Sequence, residues 1–164
     1  MIKKLLLAIV VALPSMAFAQ KFGVVNAQPI IEAMPDMTEA RTALEAASKK
    51  YEDEFKNLQE EFNKKYTEFQ GMNDETPQTI KDRRMSELQE LDQKMNQFRT
   101  TATQDLQRQQ EQLMAPIQQK VMTAIQAVGA EGDYTMIFEN NVPIYVGKTV
   151  EDITPQVKAK LGLK

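Results

Sequence analysis

From about residue 37 to residue 70, apolar side chains recur at a helical interval. Leu44, Ala47, Tyr51, Phe55, Leu58, Phe62, Tyr66 and Phe69 cover 25 residues in seven steps. That is close to 3.6 residues per step, so a single stripe runs the length of the segment. Glu, Lys, Asp and Gln fill the positions between, as good helix formers do on a wet face. At 1.5 Å per residue the helix is on the order of 50 Å long. Gly71-Met72-Asn73-Asp74-Glu75-Thr76-Pro77 then breaks the pattern. Gly71 suits a helix C-cap, Thr76 an N-cap and Pro77 the first helical position.

A second stripe follows the break through Leu88, Leu91, Met95, Phe98, Ala102 and Leu106, and continues through Leu113, Ile117, Val121, Ile125 and Val128. It predicts a return helix of roughly 50 residues, nearly 80 Å long. The two segments together predict a long antiparallel helical hairpin over 36–128 with its tip at 71–77. Gln109 occupies a stripe position, and eleven glutamines lie between residues 89 and 126. This half of the hairpin therefore meets water on more than one side. Pro116 falls inside the helical pattern and predicts a kink or break.

The flanks have a different period. Lys21-Phe22-Gly23-Val24-Val25-Asn26 has the β-branched and aromatic bias of a strand, and Asn26 is placed to cap a short helix from Gln28 to Met34. Pro35 interrupts, and Asp36 is placed to cap the long helix. After Gly129, Tyr134–Glu139 and Val142–Gly147 read as two strands joined as a hairpin at Glu139-Asn140-Asn141. Pro143 suits an edge or bulge there. From Glu151 to Leu163 helical spacing resumes through Ile153, Val157 and Leu161. The expected class is α+β, mostly α, with a β-rich body made of 20–35 and 129–164. A body of three strands and two short helices has little core of its own, which favours association through it.

Composition narrows the chemistry. Lys3 and Lys4, the apolar run Leu5–Leu13 and Ala17-Phe18-Ala19 give residues 1–19 the form of a removable signal peptide cut after Ala19. Nine apolar residues fall short of the roughly 20 that a membrane span needs. The mature chain then has 145 residues, with 18 basic residues against 23 acidic ones, a balance of −5. The expected product is soluble, exported and one domain long. With no His, Cys or Trp, triads built on His, Cys nucleophiles, Cys/His zinc sites and disulfides are all excluded. Stability must come from packing, including packing between chains. Mild acidity argues against nucleic acid as a partner. Adjacent carboxylates such as Asp53 with Glu54 point apart on a helix, so they form a solvated face. Asn73-Asp74-Glu75 is too short for a calcium loop, and the scattered glycines make no phosphate loop. No catalytic residue, metal site or cofactor is expected, and the reading is not an enzyme.

Two features of the hairpin are candidates for binding. Tyr51, Phe55, Phe62, Tyr66 and Phe69 read first as helix-to-helix core. A two-helix arm cannot cover all of such a stripe, because each helix has only one long neighbour, and apolar surface left open marks binding. Phe55, Phe62, Tyr66 and Phe69, with Met72, Met85 and Met95 near the turn, are therefore the candidates to touch a client. Lys64, Lys65, Lys81, Arg83 and Arg84 would cluster near the tip, diluted by Asp74, Glu75 and Asp82. They read as a charged solvated tip, or as a contact for anionic lipid headgroups or acidic clients.

The order strand, short helix, long hairpin, two strands, terminal helix resembles the Skp/OmpH family of periplasmic chaperones. The resemblance is carried by Phe22-Gly23-Val24-Val25-Asn26 with Ile31 and Pro35, by Ala115-Pro116-Ile117, and by the Tyr134 to Phe138 strand. Asp152-Ile153-Thr154 with Val157 and Leu161 completes it, so that it spans essentially the whole mature chain. It implies a homotrimer in which helical arms on a β-rich trimerisation body enclose a cavity. It also implies an ATP-independent holdase that binds unfolded outer-membrane β-barrel proteins in the periplasm. Mapped residue by residue, Phe22, Val24, Tyr134, Met136, Ile137, Phe138, Ile144 and Val146 fall in the strands that would build the trimer. The best-known members are strongly basic, whereas this mature chain is acidic, so contact with lipopolysaccharide or an anionic membrane would be weak. The competing reading is a coiled-coil spacer or adaptor of the cell envelope.

Overall fold

The computed structural model describes residues 20–163, so the expected signal peptide and its cleavage site lie outside the described residues. Strand β1 (Phe22–Val25) leads into the short helix α1 (Ala27–Ala33). Two long helices follow, α2 (Pro35–Gln70, 36 residues) and α3 (Gln78–Glu131, 54 residues). Strand β2 (Met136–Glu139), the two-residue strand β3 (Glu151–Asp152) and helix α4 (Thr154–Lys160) complete an α+β chain that is mostly helical. Ala33–Gln119 forms one compact unit, and, among the described residues, 20–32 with 120–163 form the other.

In the first unit, Pro35 does not interrupt the chain but opens α2. A proline at the first helical position loses an N–H that would have had no partner anyway. Asp36 consequently sits in the first turn and is not the cap, a position taken by Met34. At the other end the Gly71 amide donates to the Thr67 carbonyl at 3.0 Å. Its φ of −78 is right-handed, so the special freedom of glycine goes unused. α3 runs through Pro116 as one helix, without the break the sequence suggests. Contacts between the long helices pair Lys65 with Glu87, and Tyr51 with both Phe98 and Asp105. Residue numbers fall along α3 as they rise along α2, which is the antiparallel sense.

In the second unit β1 is the middle strand of a three-stranded sheet, order β2-β1-β3, and both of its partners run parallel to it. This replaces the expected hairpin. Residues 142–147 are not a strand, and Glu151-Asp152, expected to begin the terminal helix, pairs instead with Gly23 and Val24. Ile144 and Val146 therefore lie in a connection and not in a body strand. The physical reason is that parallel neighbours cannot be joined by a tight turn. The chain must cross from one edge of β1 to the other, and 140–150 is that crossing. The expected Asn26 cap is also replaced: the Glu139 side chain, 112 residues away, accepts the Ala27 amide at 2.9 Å. Asp152 accepts the Thr154 amide at 2.9 Å and so starts α4.

Paired residues share a face of the sheet, because side chains alternate along a strand. Gly23, Val25 and Ile137 take one face. The last turns of α3 approach it so closely that a Cβ on Gly129 would stand 2.9 Å from Ile137 Cδ1. Ile30, Ile153 and Val157 are fully buried, and Val25, Val121 and Val128 nearly so. Phe22, Val24, Met136 and Phe138 take the other face.

Tyr134, just ahead of β2, packs its ring against Gly23 and Gly132. The Lys21 ammonium lies 4.0 Å from the ring centroid and 3.2 Å from the Glu151 carboxylate. Burial, then hydrogen bonding with Glu151, pushes the Tyr134 phenol above its ordinary value. A Cβ at Gly132 would collide with the ring. Gly132→Ala should therefore destabilise the fold by about 1–3 kcal/mol, the usual cost of overpacking. Thermal unfolding checks this, with Gly147→Ala as the control that leaves the midpoint unmoved, since its added methyl meets only Tyr145 at 3.8 Å.

Candidate functional site

The apolar stripe of α2 is only partly covered. Of its eight positions only Leu58 is buried, at 4% exposure. On α3, Leu88, Leu91 and Ala102 are buried in the same stretch of the arm. One neighbouring helix covers the sector of the stripe that faces it and leaves the adjoining sector open.

The open sector forms a groove of about 350 Å³ between the two helices. Phe62, Tyr66 and Phe69 of α2 form one wall, and Met85 and Leu88 of α3 the other. Phe62 and Tyr66 stack with centroids 6.1 Å apart and planes within 7°. Tyr66 remains 45% exposed and Met85 42%. Gln89, Asp92 and Gln93, one turn apart on α3, complete the wall and give it a polar rim. A second, smaller groove of about 220 Å³ includes Tyr51, Phe55 and Phe98. There Tyr51 meets Phe98 edge-on at 6.1 Å, and its hydroxyl donates to Asp105 at 3.1 Å. That hydrogen bond raises the Tyr51 phenol above its ordinary value.

Four of the seven residues expected to touch a client, Phe62, Tyr66, Phe69 and Met85, thus share one groove. Phe55 belongs to the second, where the Arg99 guanidinium lies 5.9 Å from its ring centroid. Met72 and Met95 are half-buried and line neither. Ile80, 46% exposed near the tip, and the rim residues were not singled out from the sequence. The rim could have been found there, because Gln89 and Gln93 are spaced i, i+4 with Asp92 on the same face.

At the tip, three of the five basic residues share one acidic partner. Lys65, Arg83 and Arg84 converge on the Glu87 carboxylate at 3.3, 3.1 and 2.8 Å. Lys64 is exposed and Lys81 half-buried. The hydrogen bond from Arg84, then that from Lys65, holds the Glu87 carboxyl below its ordinary value of 4.5. The i, i+3 and i, i+4 spacings of Arg84 and Arg83 to Glu87 are legible in the sequence. The bridge to Lys65 on the other helix is not.

In the second unit the outward face of the sheet is overlaid by the 142–150 connection. A pocket of about 190 Å³ lies between Phe22, Val24 and Phe138 on one side and Val142, Pro143 and Tyr145 on the other, closed by Val146 and Val150. Around it Met136, Phe138, Val142, Tyr145 and Val146 are exposed, and Ile144 is fully so, at 107%. Of the residues expected to build an oligomer, Met136, Phe138, Ile144 and Val146 belong to this apolar surface. Val24 is buried, Phe22 lines the pocket beneath, and Tyr134 and Ile137 pack against glycines of the same chain.

Because the folded pKa of Glu87 is lowered, its ion pairs stabilise the tip fully above about pH 4.5 and are lost as pH falls through the lower folded value. Glu87→Gln should therefore reduce amide-exchange protection across residues 62–90 at neutral pH. The difference from wild type should shrink as pH falls below 4.5 and Glu87 is protonated, and mass-resolved hydrogen exchange at several pH values checks it.

The fold is shared with an OmpH-like protein of Caulobacter crescentus CB15, described with its crystal structure as a candidate outer membrane chaperone. The TM-score is 0.75 over 87% of this chain and 83% of that one, at 11% identity. No curated protein matches the chain. Residues 21–161 match the sequence model of the family described as outer membrane protein (OmpH-like), and the chain belongs to that family.

Proposed function

We propose that the protein is an ATP-independent periplasmic holdase that binds unfolded outer-membrane β-barrel proteins and keeps them soluble until they insert. The observation that carries this reading is the open groove of Phe62, Tyr66, Phe69 and Met85 on the arm. An aromatic and thioether lining accepts varied side chains, because stacking and contact with a flexible methionine impose little geometry. Family membership supports the chaperone class, and the relative in Caulobacter is described in the same terms. Export by a signal peptide cut after Ala19 would place the protein where such clients pass.

Each groove is shallow and holds a client weakly. Strength would come from several arms engaging one chain at once, as in the homotrimer proposed here. A client held by many weak contacts leaves when a better-binding destination appears, so release needs no nucleotide. The apolar surface of Met136, Phe138, Ile144 and Val146 is the proposed seat of self-association. Their apolar side chains are exposed, and apolar surface left open marks protein–protein contact.

Light scattering of a urea-denatured outer-membrane barrel diluted into buffer tests the holdase. Wild type should suppress aggregation at about one oligomer per client without nucleotide. Phe62→Ser with Tyr66→Ser should need about tenfold more protein for the same effect, given about 1.5–3 kcal/mol per large apolar contact, part of it already lost to solvent. Continued aggregation at molar excess of wild type across several barrels would favour an envelope spacer. Self-association is tested separately by sedimentation velocity. Ile144→Asp should shift the protein to a smaller species while its circular dichroism is retained.

A further inference from the structure

The charge of the chain is divided unequally. Residues 33–119 hold twelve Lys and Arg against seventeen Asp and Glu, while 20–32 with 120–164 hold six of each. The whole deficit of −5 beyond residue 19 therefore belongs to the arm. Within the arm, residues 60–95, which include the groove, hold six Lys and Arg against nine Asp and Glu. Lys65 follows Phe62 by three residues and precedes Phe69 by four, and its ammonium pairs with Glu87, which also pairs with Arg83 and Arg84 and offsets one of the three charges. Among the described residues no Lys or Arg lines the groove, and its one charged lining residue is Asp92. The side-chain amide of Asn96 donates to the Asp92 carboxylate at 3.2 Å, a neutral partner that leaves the negative charge in place.

The polar rim adds a second constraint. Gln89 and Gln93 stand one turn apart beside an aromatic wall. Each amide both donates and accepts, as the backbone of an extended segment requires. The groove thus offers apolar surface for side chains, amides for a backbone and one carboxylate for a cation.

We propose that the groove recognises extended apolar segments of unfolded chains that carry Lys or Arg, in preference to acidic segments of equal apolar content. This rests on the holdase reading and narrows its client class. The groove's single carboxylate sets the local preference, and the field of the acidic arm adds steering in the same direction.

Two fluorescently labelled 24-residue peptides test it, alike at every Phe, Leu and Tyr position and differing only in whether Lys or Glu fills the charged positions. Anisotropy against wild-type protein at low ionic strength should show the Lys peptide binding about three- to tenfold more tightly. The gap should narrow to less than about twofold at 0.5 M salt, where charges more than a few ångströms apart are screened. Asp92→Asn should weaken the Lys peptide about two- to fivefold, the range of one partly exposed ion pair, and should not weaken the Glu peptide, which loses a like-charge repulsion. Asp92→Glu should restore the preference. Equal binding of the two peptides, or tighter binding of the Glu peptide, would overturn the proposal. So would an Asp92→Asn effect shared equally by both. If barrel aggregation is suppressed but the preference is absent, this inference alone fails. If aggregation is not suppressed and neither peptide binds, the holdase reading fails with it.

Discussion

A helix packed against a single neighbour can cover only one sector of its apolar stripe, and the arm is built from two such helices. A third helix would have closed over the Phe62–Tyr66–Phe69 wall and made it core. With only α3 opposite, Leu58, Leu88 and Leu91 are buried while Tyr66 and Met85 remain in water. The apolar content that holds the hairpin together is therefore the same content that leaves it with a binding surface. Stability and exposure are two sectors of one stripe, separated by roughly a quarter turn.

Charge completes the picture at the tip. Three cations gather on Glu87, one of them across the helix pair, which ties α2 to α3 beside the buried Leu88. None of the three lines the groove, whose one charged lining residue is Asp92. Basic residues scattered along two helices can share one acidic partner, here through i, i+3 and i, i+4 spacings on α3 and one bridge from α2.

The body follows a different rule. Its middle strand β1 lies near one end of the described chain, and both partners lie beyond the hairpin, so every sheet hydrogen bond spans more than a hundred residues. Parallel pairing on both edges forces the 140–150 connection across the sheet. The apolar side chains of that connection, Ile144 and Tyr145 above all, end up outside. Tyr134 is seated against two glycines of the same unit and is half-buried there.

Periodicity was enough to determine the two long helices, their break at 71–77 and the apolar stripe along each, because these depend on neighbours three and four residues apart. The residues of the groove were legible in the same way, since Phe62, Tyr66 and Phe69 must share a face on any helix. Tertiary structure alone decided which sector of that face is closed, since that depends on where α3 lies and no local spacing records it. It also decided that 142–147 is a connection and Glu151-Asp152 a strand. An apolar run with β propensity suits either state, and the choice rests with the open edge of β1 about 130 residues away. The cap of α1 by Glu139 and the bridge from Lys65 to Glu87 have the same origin. Local rules list the partners a side chain could take, and only the packed chain determines which of them arrives.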